Sequence, residues 1–405
     1  MNLDIRPILS ALLRNRTGAI LVALQIALAL AILVNATYVV SQRVKSINRP
    51  TGVDDANLFA MDVAGFTSRY DYASSVREDL DYLRRLDGVI AASVVGNVPL
   101  SGDSNSAPLF KTPERKTSDM VLAFMDEMDE QGLQTLGSHI IAGRAFRKDE
   151  ILPPVTTSNQ SRAFPNIVVT EDLARAFFPD GNALGKTIYD PLGRPVTIIG
   201  ISANRAGPWN APGETGSFWV PEQPLLFGFH YLVRAKPGRR DEMMRVAAEH
   251  LAQSNMNRVI QQTSTIEFDK KRQNLGDTTT AITLVVVTSL LLAVAALGIF
   301  GLATFNVTTR TKQIGTRRAV GARKRDVVRH FMVENGLITS MGIVLGCSLA
   351  LGVGYWLSLR YQMPRLDLYY LVGGTLVLWL LGQLAAWQPA RRAATVPPSV
   401  ATRTA

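Results

Sequence analysis

Four stretches of the chain, 18–40, 281–305, 336–359 and 369–387, contain no Asp, Glu, Lys, Arg or His. A helix needs about 20 apolar residues to cross a bilayer. A single charge at its centre costs about 2.5–3.5 kcal/mol on insertion scales. Four clean windows of this length predict four transmembrane helices, because buried helices of a soluble core need only shorter runs. The first window is longer than the apolar stretch of a cleaved signal peptide, although Val34-Asn35-Ala36 resembles a cleavage site, so it reads as an anchor.

Mean hydropathy is +0.11 in spite of 19% charged residues. Apolar spans are therefore spliced to an ordinary polar segment, residues 41–277. The single cysteine, Cys347, lies inside the third window, so no intrachain disulfide is available.

The net charge of +10 is compatible with nucleic acid or with a membrane, and its distribution decides for the membrane. Arg6, Arg14 and Arg16 precede the first window. Arg310, Lys312, Arg317, Arg318, Arg323, Lys324, Arg325 and Arg329 lie between the second and third, against only Asp326 and Glu334. Arg391, Arg392 and Arg403 follow the fourth. With Asp4 included, these regions carry +2, +6 and +3, so everything else nets −1. The positive-inside rule makes all three cytoplasmic and puts 41–277 outside a cytoplasmic (inner) membrane. Tyr38, Tyr355, Trp356, Tyr361, Tyr369 and Tyr370 fall at the expected outer ends, and Trp387 at the inner end of the last span. In residues 1–17, Ile5, Ile8, Leu9, Leu12 and Leu13 follow helical spacing and predict a short amphipathic helix in the inner interface.

Residues 41–277 mix helical and strand signals. Tyr72, Val76, Leu80 and Leu83 mark a helix, followed by an Asp87-Gly88 turn and a strand over 89–98. Strands are expected at 166–170, 197–201, 231–234 and 259–263. A helix capped by Thr170 and another over 240–254 complete an α+β domain. The stretch from about 105 to 160, rich in Ser, Thr, Pro and charge, is expected to form an inserted lobe.

Three signals in this domain resemble sites. Gly181-Asn-Ala-Leu-Gly185-Lys186-Thr187 approaches a phosphate loop, but it has three residues between its glycines where the motif has four, and it lies across the membrane from ATP. Asp126, Glu127, Asp129 and Glu130 lack the alternating oxygen ligands and glycine of a calcium loop, and are expected on a solvated helix face. His139, His230, His250 and His330 are scattered, which gives no metal set and no His-based triad.

The loop after the second window is the most specific feature. Arg310-Thr-Lys-Gln-Ile-Gly315-Thr-Arg-Arg-Ala-Val-Gly321-Ala-Arg closely resembles the loop of the MacB/FtsX family of ABC permeases, whose pattern is roughly Arg-Thr-x-Glu-Ile-Gly-x-Arg-Arg-Ala-x-Gly-Ala. Gln388-Pro-Ala-Arg-Arg-Ala-Ala394 is similar to that family's C-terminal motif. Ala142-Gly-Arg-Ala-Phe146 and residues 168–186 are similar to the MacB-type periplasmic core domain. Two departures stand out. Gln313 replaces the usual acid, and the usual Pro-x-Glu-Ala-Leu-Arg tail reads Pro398-Ser-Val-Ala-Thr-Arg403.

The loop can be read without the resemblance. Residues 308–320 suit a short helix, Gly321 a turn, and 323–334 a helix running into the third span, all within a cytoplasmic segment 306–335. Such a cationic pair either only sets topology and binds lipid headgroups or also seats in a partner's groove.

The resemblance implies a non-catalytic permease subunit that binds no cofactor itself, driven by a cytoplasmic ABC ATPase dimer holding ATP and magnesium in a separate polypeptide. It nominates Arg310, Gln313, Ile314, Gly315, Arg317, Arg318, Ala319, Gly321, Ala322 and Arg325 as the coupling surface. It also implies a second permease copy, or a non-identical homologous permease supplying the acid missing at Gln313, with a periplasmic adaptor as a further candidate partner. The implied activity is mechanotransmission that exports a peptide, antibiotic or similar substrate. A lipoprotein-release permease and an ATP-driven activator of cell-wall hydrolases are the alternatives. The clean spans argue against a proton-coupled antiporter. Gln25, Asn35, Ser340 and Gln383 are expected to bond between helices, and Gly342 with Gly346 forms a small-xxx-small pair suited either to packing within the subunit or to dimerisation. The basic excess is assigned to the membrane and not to nucleic acid.

Overall fold

The computed structural model describes residues 16–67, 70–102, 105–153, 163–207, 216–224, 229–361, 366–395 and 397. The amphipathic helix expected in residues 1–17 and the tail motif at 398–403 lie outside these residues, apart from the start of the first long helix. The chain divides into two compact units, one of residues 1–47 and 277–405, the other of 48–276.

Helix α1 (Arg16–Ile47) opens the first unit. The second unit begins with β1 (Leu58–Gly65), followed by α2 (Tyr72–Arg85) and β2 (Val89–Val95). Asp71 caps α2 by accepting a hydrogen bond from the Ser74 amide. A second lobe then intervenes. It comprises β3 (Asn105–Phe110), β4 (Met120–Glu127), α3 (Gly132–Leu136), β5 (Ile140–Gly143), β6 (Asn166–Thr170), α4 (Glu171–Phe177), β7 (Thr187–Tyr189), β8 (Pro195–Ser202) and β9 (Ser217–Val220). The first lobe resumes with β10 (Phe229–Ala235), α5 (Arg240–Ser254), β11 (Arg258–Thr265) and α6 (Ile266–Gln273).

The first lobe is a four-stranded antiparallel sheet, ordered β11-β1-β10-β2. Strand β1 alternates as a pleated strand must. Phe59, Met61 and Val63 pack under Tyr72, Val76, Leu80 and Leu83 of α2 and Met243, Ala247 and Leu251 of α5. Leu58 and Ala60 face the other way, into a core shared with Leu133, Leu136, Val168 and Trp219. Burial on both faces explains the apolar run over 58–61 in this strand.

The second lobe is a seven-stranded mixed sheet, ordered β5-β8-β6-β9-β4-β3-β7. Its extent corrects the expectation of an insertion at about 105–160. Strand β4 pairs in parallel with β9, and β5 pairs with β8, so the lobe runs from 105 to 220. Ladder partners this remote in sequence leave no mark in local composition.

One smaller expectation changes in part, since Thr170 stands at the N-cap of α4 as expected but without a capping bond. The Thr170 hydroxyl does not cap α4; it donates to the Ser217 carbonyl and accepts from the Ser217 amide, bonding β6 to β9. The near phosphate loop is the connection from α4 to β7. Gly181 and Gly185 take positive φ of 78° and 75°, and Ala183 is buried in the core of the sheet.

The chain returns to the first unit with α7 (Leu275–Thr309), α8 (Thr311–Ala319), α9 (Lys324–Tyr361) and α10 (Leu368–Ala393). Helices α1, α7, α9 and α10 are each long and apolar enough to cross a membrane. Helix α1 is the hub. Gly342 and Gly346 of α9 lie so close to it that an added Cβ would sit 2.8 Å from the Ala23 carbonyl oxygen and 2.9 Å from Leu30 Cβ. The small pair therefore packs within the subunit. Gln25 donates to the Val294 carbonyl of α7 at 2.9 Å, and Asn35 to the Ala350 carbonyl of α9 at 3.1 Å, as expected. The Gln383 amide nitrogen makes no hydrogen bond among the described residues. Asn335 instead links α9 to α10 through the Gly382 carbonyl, at 2.9 Å.

Candidate functional site in the basic loop

The loop between α7 and α9 is short and fully structured. Helix α8 ends in a Schellman motif. The Gly321 amide bonds the Arg318 carbonyl, the Ala322 amide bonds the Arg317 carbonyl, and Gly321 sits at φ 101°, where a side chain would be strained. The next helix starts at once, with the Asp326 carboxylate accepting from the Arg323 amide at 3.2 Å. The turn requires glycine for its backbone and not for close packing, since nothing lies within 4 Å of an added Cβ.

One face of α8 is an anchor. Ile314 is buried with Val307, Val327, Phe331, Ala390, Ala393 and Ala394, and Gly315 is buried beside it. The Gln388–Ala394 motif thus supplies the alanines on which this helix rests. Arg391, at the same end of α10, stacks its guanidinium 5.9 Å from the Trp387 ring. The opposite face carries Lys312, Gln313, Thr316 and Arg317, all exposed, and Val320 at its tip is 85% exposed. A single exposed apolar side chain such as Val320 is ordinary at a protein surface.

The nominated residues therefore separate. Gln313, Arg317, Ala319, Gly321 and Arg325 are exposed, Arg318 and Ala322 are half-buried, and Ile314 and Gly315 are turned inward. Arg310 is turned inward: its guanidinium donates to both carboxylate oxygens of Glu334 on α9, at 3.0 and 2.9 Å. Glu334 is only 3% exposed. It lines a cavity of about 20 Å³ with Asn306, Asn335, Phe331 and Ala386 among others. In the sequence Glu334 stands out only as one of two acids, with Asp326, beside eight basic residues of the loop. Its position at the edge of an otherwise clean apolar window was the available signal, since a carboxylate there needs a partner.

The acidic quartet in the second lobe is neither a calcium loop nor the solvated helix face expected. It lies on the end of β4 and the turn after it. Asp126 is buried against Arg205 and accepts from Asn97, while Arg84 bonds Asp129 at 2.8 Å and Glu130 at 3.0 Å. Burial, then the neighbouring Glu222 and Asp126, push Glu127 up to about 7. Burial likewise pushes Asp129 up to about 6, against the opposing pull of Arg84.

Comparison with known proteins gives a consistent picture. Residues 19–265 match the MacB-like periplasmic core domain and 285–398 match the FtsX-like permease C-terminal domain. The Macrolide export ATP-binding/permease protein MacB 2 of Yersinia pestis is 29% identical over 285 residues, covering 66% of this chain and 40% of the relative. The protein named "Probable syringafactin export ATP-binding/permease protein SyfD" of Pseudomonas syringae is 29% identical over 276 residues, covering 64% and 40%. The chain thus spans about 40% of the length of these curated relatives. Among solved structures, the periplasmic region of MacB from Actinobacillus actinomycetemcomitans aligns at 14% identity with a TM-score of 0.34, covering 56% of this chain and 97% of that one.

Proposed function

The chain belongs to the family of ABC permeases that join a MacB-like periplasmic core domain to an FtsX-like membrane domain, and on that premise we propose that it is the permease of an exporter worked by mechanotransmission. ATP and magnesium are held by an ATP-binding unit supplied outside residues 1–405. Two permeases, identical or not, are brought together when that unit closes. The motion passes along the spans to the domain of residues 48–276, on the far side of the membrane, and expels a peptide, antibiotic or similar molecule. In this reading the basic loop and both chain termini face the cytoplasm.

The observation that carries the reading is the two-faced helix α8. Ile314 ties it to the ends of α9 and α10, while Gln313, Arg317 and Val320 are presented outward. A short helix fixed on one side and cationic on the other suits a groove with acidic walls, and Val320 supplies an apolar contact at its tip. Two relatives are named as export ATP-binding/permease proteins, which supports an exporter linked to ATP binding.

The full chain should co-purify with an ATPase of its host and raise its turnover. Arg317→Glu together with Val320→Asp should abolish both effects while leaving the chain folded. Binding of no host ATPase by the wild-type chain would overturn the reading.

A further inference from the structure

Arg310 and Glu334 form a buried ion pair at the root of the coupling helix, and nothing in the docking surface accounts for it. Arg310 is the residue immediately before α8, and its guanidinium reaches across to α9, 24 residues on in sequence. Both oxygens of Glu334 are engaged, at 3.0 and 2.9 Å, with side-chain exposures of 19% for Arg310 and 3% for Glu334. Ionic groups placed here are costly unless they stay paired, so separating them is strongly opposed.

The surroundings give the pair a mechanical meaning. Helix α8 follows α7 with only Arg310 between them, where the backbone leaves helical geometry at φ −102°, ψ 10°. Across that joint the Arg310 amide still bonds the Asn306 carbonyl at 3.2 Å, and further along α8 Ile314 packs on Val327 and Phe331 of α9, but neither contact fixes the joint itself to α9. The Arg310–Glu334 pair instead ties the joint to α9. Beside it, Asn335 bonds the Gly382 carbonyl of α10, so neighbouring residues of one turn of α9 hold both α8 and α10. Helix α9 is unbroken over its 38 residues, Lys324–Tyr361, about 57 Å at 1.5 Å per residue. Along that length Gly342 and Gly346 press it onto α1.

We propose that the Arg310–Glu334 pair is the pin that delivers displacement of the coupling helix to α9, and through its glycine contact to α1, making both residues positioning residues for transmission and not for docking. The inference rests on the proposed function in its second half only, since the pin itself is a property of the isolated chain. A push on the outward face of α8 moves α9 as one body with it. Without the pin, only the Ile314 contact joins α8 to α9, and part of the push is absorbed at the α7–α8 joint.

Two measurements on the full chain in lipid nanodiscs separate the pin from the function. In the first, spin labels replace the exposed residues Thr316 on α8 and Arg329 on α9. The wild type should give a narrow distance distribution. Arg310→Ala and the near-isosteric Glu334→Gln should broaden it at least twofold, and Arg310→Lys, which keeps the charge, should stay narrow. An unchanged width in Glu334→Gln overturns the pin. In the second, host ATPase is added to unlabelled chains. Arg310→Ala and Glu334→Gln should still bind it, because Gln313, Arg317 and Val320 are untouched, yet lose tenfold or more of the turnover stimulation. Stimulation kept in both variants overturns transmission through the pair. Restoration in the exchanged chain Arg310→Glu with Glu334→Arg supports it, and where that chain does not fold, the contrast between Glu334→Gln and Arg310→Lys decides. Absence of ATPase binding by the wild type overturns the functional reading whatever the distance widths show.

Discussion

Arg258, the first residue of β11, places its guanidinium against the carboxylate of Asp79 on α2, 179 residues away in sequence, with Nη2 to Oδ1 at 2.9 Å. Their side chains are 1% and 5% exposed, and the same carboxylate accepts a hydrogen bond from the Tyr231 hydroxyl at 2.6 Å. The pair bolts the edge strand of the first lobe to the helix above it.

Cutting that bolt on one side leaves a buried charge without its partner. Arg258→Ala or Asp79→Ala should destabilise the lobe by about 3–5 kcal/mol. Hydrogen exchange on the intact chain should show β1 and β11 amides losing protection, and protection equal to wild type would refute the assignment. The double variant should cost less than the two singles combined, because each single charges the other residue's desolvation to the fold.

The junction of the two lobes should weaken as pH rises. Glu127 ionises near 4.5 when unfolded and near 7 when folded. Between those values the folded state holds a proton that the unfolded state has released, so stability falls with rising pH. Asp129 acts in the same sense from 3.8 to about 6. Glu150 has the opposite sign: its hydrogen bond from Arg144 holds it near 2, so its contribution is lost only as pH falls below about 4.5. From pH 5 to 7 the two raised groups therefore act alone among these three. Glu127→Gln should flatten the decline of β4 protection across that window, and a profile identical to wild type would count against a raised Glu127.

Helix packing at the two glycines gives a third test. Gly342→Leu and Gly346→Leu should each push α9 off α1 and cost about 1–3 kcal/mol, the usual range for overpacking. Gly352→Leu on the same helix should be close to neutral, since no atom lies within 4 Å of its added Cβ. Thermal unfolding of the detergent-solubilised chain compares them, and equal effects at 346 and 352 would dismiss the contact.

Much of the candidate site was legible in the chain because its signals are local. The Gly321 turn, the helix before it and the helix running on from it follow from short-range backbone preferences, and the cationic face follows from composition. What could not be read was which of those cations face outward. Arg310 and Arg317 are identical in type and seven residues apart, yet one is bound to Glu334 and the other is exposed.

The same division holds for the whole molecule. The sequence by itself determined four helices apolar enough to span a membrane, the clustering of the basic residues between and beyond them, and three of the five helices and five of the eleven strands described in the domain, since each depends on the hydropathy or period of a contiguous run. Residues 166–170 and 240–254 illustrate this, appearing as β6 and α5 with those limits. Only the tertiary structure decided that the second lobe reaches to 220, that Asp126 and Asp129 are buried against arginines, that Gly342 and Gly346 pack on α1, and that Arg310 pairs with Glu334. Each of these depends on a partner brought close by folding from far along the chain. Burial and charge pairing are properties of that encounter, and a run of residues carries no record of whom it will meet.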